Sequence, residues 1–361
     1  MKPASTLLIN RIFFIVFVLF LFAPNFFRLL GVKDFLAARQ PVKSDPWLAR
    51  VENFLQFPAS FEKFYNGYFP MRERLIQLDY DIRLNILHEA VFSNVLVGKQ
   101  GWLYLTDEDN LDYYQHASPF SQDQLAHIQQ KLDQANARLA AQGIEFIVVV
   151  SPNKESIYPE FLPDGIHQIN LRSQMDQLVD FMDENGQTRI IDLRRLLLDA
   201  KNSGQVYNRT DTHWNEPGAY LVYRKILDSL GGRFPTVKAY PPGDFALSNE
   251  TLRGDLSHML PLTKLFVEQS IAITPKFERK ARMLQYDPNG TTITEIADAT
   301  LPKAVIFRDS FFNSLLPFFS EHFRRAVYVH SFEVNEDLVL KEKPDVVILE
   351  IAERYLNQWT R

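Results

Sequence analysis

Three short segments of the chain carry side chains suited to acyl chemistry. Ser310 follows Arg308 and Asp309 directly after the apolar run KAVIF (303–307) and precedes FFNSLLPFF. A serine at a strand-to-helix junction exposes its Oγ, and the amides that open the following helix can bind a developing oxyanion. Its hydroxyl is too weak an acid to attack at neutral pH, so it needs an adjacent base, for which imidazole is best matched. His213 lies in Thr210-Asp211-Thr212-His213-Trp214-Asn215, where Asp211 can accept from the second ring nitrogen and fix the tautomer. The third segment, Ser151-Pro152-Asn153-Lys154-Glu155, closes the run IEFIVVV, and Asn153 and Lys154 are candidates for holding an oxyanion or substrate. Arg308 and Trp214, beside the serine turn and the histidine, are candidates of the same kind.

Each segment also has a plainer reading. A serine at a helix start is commonly only a cap, and an Asp-x-His pair is commonly structural. Asp309, adjacent to Ser310, is expected to brace the turn. Asp211 and His213 lack an evident third ligand at metal-site spacing, with His167 and His258 offering no more than an imidazole each, so no metal is expected. No cofactor is expected either. Trp102, Tyr104, Tyr113 and Tyr114 could line a sugar cleft, although core packing is the default for such a cluster.

The elements that must position these residues alternate. Ser121 to Gln142 has an N-cap serine, helix-forming composition and a glycine stop at Gly143, and 144–150 is a continuous β-branched run of the kind buried on both faces. A helix over 171–185, a strand over 189–193 and a helix over 216–230 follow, then strands at 303–307, 326–330 and 345–352, with FFNSLLPFF helical between the first two of these. Strands separated by helices predict an α/β fold with a doubly wound parallel sheet. Residues 232–300 break that rhythm and predict a small β-rich insertion, because a bare loop of that length would be improbable. An amphipathic helix is expected across 70–92.

With 361 residues, 46% hydrophobic and 23% charged, the chain is expected to be globular, and a net charge of −5 gives no basic field for nucleic acid. Having no cysteine, it can form neither disulfides nor thiolate metal sites, and any covalent chemistry must use oxygen or nitrogen. Residues 12–32 begin with twelve unbroken apolar side chains and are long enough to span a bilayer if Asn25 and Arg28 reach the interface. A cleaved signal peptide is the rival reading, weakened by the lack of small residues at its exit, and a buried core helix is the third. The expected organisation is a tail at 1–11, an anchor or uncleaved signal at 12–32, a juxtamembrane linker at 33–69 and one domain at 70–361 with the insertion at 232–300. Basic residues flank 12–32 on both sides, so charge alone does not orient it.

GWLYL (101–105), SPNKESIYPE (151–160), DTHWNEPGAY (211–220), RDSF (308–311) and VVILEIAERYL (346–356), in that order, resemble the polysaccharide O-acetyltransferases of the AlgJ/AlgX (DHHW) type, relatives of SGNH hydrolases. The resemblance implies an SGNH hydrolase-like domain with Ser310 as nucleophile, His213 as base and Asp211 as its orienting acid. It implies acetyl transfer to an exported polysaccharide, alginate-like or another exopolysaccharide, with a multispanning membrane O-acyltransferase as acetyl donor. It also implies a single-pass protein of the bacterial inner membrane whose catalytic domain lies in the periplasm. Two other functions share these residues: a carbohydrate esterase using the same triad, and a non-catalytic polysaccharide-assembly subunit. Many relatives carry glycine where Arg308 stands, so its guanidinium is expected to alter substrate preference or to clamp a carboxylate such as Glu350.

Overall fold

The computed structural model describes residues 14–15, 72–87, 90–92, 94–107, 109–260 and 265–360. The chain divides into two compact units, Met1–Glu89 and Ala90–Arg361. The first contains helix α1, Arg72–Asn85. The expected anchor at 12–32 lies outside the described residues except for helical Phe14 and Ile15, and the linker at 33–69 lies wholly outside them. Among the described residues no helix is long and apolar enough to cross a membrane. The helix expected over 70–92 closes at Asn85, and Val91 opens a strand instead, pairing with Leu96.

The second unit is built on a seven-stranded sheet. In chain order its strands are β4 (Glu145–Ser151), β5 (Ile190–Asp192), β8 (Arg282–Gln285), β9 (Thr291–Glu295), β10 (Lys303–Arg308), β11 (Arg325–His330) and β12 (Val346–Ala352). Their spatial order is β5-β4-β12-β10-β11-β9-β8. The first five are parallel, whereas β9 runs antiparallel to β11 and β8 antiparallel to β9. The sheet is therefore mixed, a correction to the all-parallel expectation. The insertion supplies these two antiparallel strands and a separate ladder, β6 (Phe245–Leu252) with β7 (Glu268–Pro275). A smaller antiparallel sheet, β1 (Val91–Phe92), β2 (Val95–Val97) and β3 (Leu103–Leu105), precedes them.

The continuous apolar strands follow from burial on both faces. Ile147, Val149, Ile306 and Ile348 enter one core with Ala219, Tyr223 and Ile226 of helix α7 (Glu216–Leu230). Val148, Val150, Phe307 and Leu349 enter the other with Leu125, Ile128 and Leu132 of helix α3 (Gln122–Ala141) and Leu178 of helix α5 (Gln174–Asn185). Successive residues of one strand thus serve opposite layers. Ser121 and Gln124 form a capping box at the start of α3, and Gly143 at φ +75° lets the chain turn into β4. Instead of one helix, residues 310–319 form a 3₁₀ turn (Ser310–Ser314) followed by a short α-helix (Leu316–Phe319) with Pro317 in its first turn. Trp102 stacks on Phe161 at 4.7 Å and on Tyr158 at 4.3 Å, so this part of the aromatic cluster is core.

Candidate active site

All three chemistry-bearing segments reach the carboxyl edge of the parallel strands, where the crevice of an open α/β sheet lies. β10 ends at Arg308 and hands Ser310 to the 3₁₀ turn. Asp309 makes that turn rigid: its Oδ1 accepts from the Phe311 amide at 2.8 Å and its Oδ2 from the Ala352 amide at 2.7 Å. The Asp309 amide donates to buried Glu350, whose other oxygen accepts from Ser151 Oγ. Burial, and then the neighbouring Asp309 charge, push the Glu350 carboxyl well above its ordinary range.

His213 is delivered by the loop that precedes α7. Asn215 caps that helix, its Oδ1 accepting from the Gly218 amide at 2.9 Å while its Nδ2 donates to Gln205 O at 2.7 Å. Two residues earlier, His213 Nε2 lies 2.9 Å from Ser310 Oγ and Nδ1 lies 2.8 Å from Asp211 Oδ1. The edge of Phe311 meets the imidazole, with ring centroids 4.9 Å apart. Burial pushes the Asp211 carboxyl up, but hydrogen bonds and charge from His213 and the amides of His213 and Asp255 outweigh it and hold it at about 2. A Ser–His–Asp chain of this geometry can activate a hydroxyl, return its proton to a leaving group and stabilise the imidazolium between those steps.

The other four candidates separate. Asn153 is 1% exposed, and neither its Oδ1 nor its Nδ2 has a partner. Lys154, expected as a substrate or oxyanion ligand, is instead a strut. Its buried Nζ donates to the carbonyls of Asn208 (3.2 Å), Arg209 (3.2 Å) and Asp211 (2.6 Å), which uses its three donors on the loop that carries the triad acid. Burial lowers its pKa to about 8. Arg308 is fully buried, donating to Asp309 O at 3.0 Å and Pro288 O at 2.8 Å, and forms no ion pair with Glu350. It is the last residue of β10, in register with His330 of β11, and those two carbonyls hold its guanidinium inside. Trp214 is likewise core, with Nε1 bonded to Ser314 Oγ and its ring against Phe311 at 4.9 Å.

Two residues of the insertion escaped the sequence reading. Asp255 accepts from the amide and hydroxyl of Thr212 at 2.7 and 3.2 Å, and its Oδ2 lies 3.6 Å from His213 Nδ1. Glu268 accepts from the amides of Arg209 and Thr210, each at 2.8 Å. Neither lies in a motif, and only the fold brings them to the 208–213 loop. Asp255 is also the third potential metal ligand that the spacing lacked, since one atom each of Asp211, His213 and Asp255 lies within 4.8 Å of the others. A cation there would have to displace the Nδ1–Asp211 hydrogen bond.

The mixed α/β fold with its Ser–His–Asp edge defines an SGNH hydrolase-like protein. A family described as "ALGX: SGNH hydrolase-like domain, acetyltransferase AlgX" matches residues 95–306, and the chain belongs to it; Ser310 lies just past the matched segment. The chain is 29% identical over 208 residues to the probable alginate O-acetylase AlgJ of Pseudomonas syringae pv. tomato, covering 57% of this chain and 51% of that one. It is 24% identical over 318 residues to the probable alginate O-acetylase AlgJ of Azotobacter vinelandii, covering 82% and 78%. The match thus spans about half the length of the first of these relatives. Among solved structures, Bacillus cereus PatB1 superposes with a TM-score of 0.55 at 16% identity, over 73% of this chain and 96% of that one. A DHHW family protein from Eubacterium siraeum gives 0.53 at 16% identity, over 74% and 94%. These two likenesses support the fold.

Proposed function

We propose that the protein is an O-acetyltransferase that moves acetyl groups onto hydroxyls of an exported polysaccharide through an acyl-enzyme on Ser310. The observation that carries this reading is the unbroken chain Asp211–His213–Ser310, found in a member of the AlgX acetyltransferase family. His213 Nε2 removes the Oγ proton as Ser310 attacks the acetyl carbonyl, and Asp211 holds the imidazolium. The proton then passes to the departing donor group. A sugar hydroxyl, deprotonated in turn by His213, attacks the acyl-enzyme and regenerates Ser310.

The oxyanion needs donors. The Phe311 amide is taken by Asp309, which favours the unpaired Asn153 carboxamide. Asn153 follows β4, two strands from β10 at the same edge, a lateral separation of ~10 Å that an extended side chain and a substrate carbonyl can share. The names of the curated relatives support an alginate-like or related exopolysaccharide acceptor. The apolar run at 12–32 supports a single-pass tether in the inner membrane with this domain in the periplasm. A multispanning membrane O-acyltransferase is the donor proposed there.

The test is incubation of the purified protein with an activated acetyl ester and oligosaccharides. Acetylated sugar is the expected product. Acetate released without transfer would indicate the esterase reading, and a Ser310 that never acylates would remove the mechanism.

A further inference from the structure

A cavity opens beside the C-terminal 3₁₀ segment Glu353–Thr360. Its volume is about 170 Å³. That is room for about six waters and well under the ~300 Å³ of a typical small-molecule site, so it fits one ring of a longer ligand. Asp109, Asp112, Tyr113, His116, Gln174 and Asn357 line it. Every one of these residues carries a polar group suited to hydroxyls, since carboxylates accept from them and carboxamides do both, while Tyr113 itself packs into the core.

These groups are held in place. His116 stands at φ +56° and Asp109 at φ +60°, backbone conformations that non-glycine residues seldom adopt and that concentrate at functional sites. His116 is locked by a reciprocal pair, its Nδ1 on Asn170 O and its own carbonyl accepting from Asn170 Nδ2, both at 2.7 Å. With Nδ1 donating, Nε2 is left as an acceptor. Gln174 Nε2 donates to Ser118 O at 2.7 Å and to Asn357 Oδ1 at 3.0 Å, which leaves Asn357 Nδ2 to donate to a ligand.

The cavity wall is linked to the turn that carries the serine. Asn357 follows Arg354 by one 3₁₀ turn, a rise of ~6 Å, and the Arg354 guanidinium lies 5.2 Å from the centre of the Phe311 ring, next to Ser310. Two exposed aspartates and no lysine or arginine in the lining disfavour a carboxylate-bearing residue there. We propose that this cavity is a distal acceptor subsite that holds one neutral, hydroxyl-bearing sugar residue while a residue further along the same chain is acetylated at Ser310. The proposal rests on the transferase reading above and, among the acceptors named there, selects an exopolysaccharide that contains neutral residues over an all-uronate, alginate-like one.

Two variants test it in the full-length protein. His116→Gly removes the imidazole at a position whose backbone suits glycine, and Asp112→Lys inverts an exposed charge. The probes are neutral manno-oligosaccharides and mannuronate oligomers of graded length, with an activated acetyl ester as donor. In the unaltered protein KM should fall about tenfold from short to long neutral oligomers, and each variant should lose that gain while kcat and acceptor-free ester cleavage stay unchanged. Calorimetry on Ser310→Ala should show the same length-dependent binding of the neutral series. A KM independent of length, variants that keep the gain, or tighter binding of the uronate series would overturn the subsite. If Ser310 never acylates, the transferase reading falls, and the calorimetry still judges the cavity.

Discussion

The main-chain amide of Asp255 donates to Asp211 Oδ2 at 2.9 Å, although 44 residues separate the two. The carboxylate oxygen that does not touch His213 is therefore occupied by the insertion, and the Asp255 side chain sets a second negative charge near the same imidazole. What the sequence presents as a break in the α/β rhythm is, in the folded protein, the brace of the triad.

Asp255→Asn should keep the Thr212 contacts and remove one charge. Because the side chain is partly solvated, the loss is modest: acylation by an activated acetyl ester should slow about tenfold, and more at low salt than at high salt. Stopped-flow kinetics at two ionic strengths check this, and a rate unchanged in both would show that Asp255 acts only through the backbone.

Gly254→Ala should uncouple stability from activity. A Cβ there would lie 2.4 Å from the backbone of Thr210 and Asp211, neither of which is a flexible side-chain end. The 208–213 loop must shift, at a cost of about 1–3 kcal/mol in denaturant unfolding. Ester cleavage should fall by far more than that destabilisation implies, because Asp211 and His213 ride on the displaced loop.

Lys154→Met should leave three loop carbonyls without their donor. A loss of about 2–4 kcal/mol in unfolding free energy is expected, together with reduced activity. Equilibrium urea unfolding reads the first and ester cleavage the second. Wild-type values in both would show that the strut is dispensable.

The buried carboxyls predict the shape of the pH–stability profile. Asp211, held at about 2, supports the fold above its unfolded value and ceases to do so as pH falls toward 2. Glu353 and Glu155, raised by burial to about 6 and about 7, act in the opposite sense. The folded state keeps protons that the unfolded chain releases, so their support is complete below the unfolded value and declines as pH rises through 6 and 7. The melting temperature should therefore fall between about pH 5 and 7, and Glu155→Gln should flatten that fall. An equally steep fall in the variant would contradict the assignment.

The strands were legible because each depends on local signals, whereas the pairing of Asp211, His213 and Ser310 followed only from the family resemblance. IEFIVVV must be buried on both faces, Gly143 must stop a helix, and a serine after KAVIF must emerge at a strand end. The placements of Lys154, Arg308 and Trp214 were not legible, because a long or aromatic side chain near the Asp211–His213–Ser310 chain has two directions open to it. For Lys154, three carbonyls of a distant loop decided the direction. For Arg308, the carbonyls of Asp309 and Pro288 did. Asp255 and Glu268 had no local signature, since their partners are backbone amides, which every loop offers.

The central claim is that Ser310 carries the acetyl group. Mass spectrometry of peptides from protein quenched after brief exposure to an activated acetyl ester tests it most directly. The account predicts one acetyl group on the peptide that contains Ser310, absent in Ser310→Ala and lost from the unaltered protein once an acceptor sugar is added. An acetyl group on any other residue, or transfer that persists in Ser310→Ala, would contradict it.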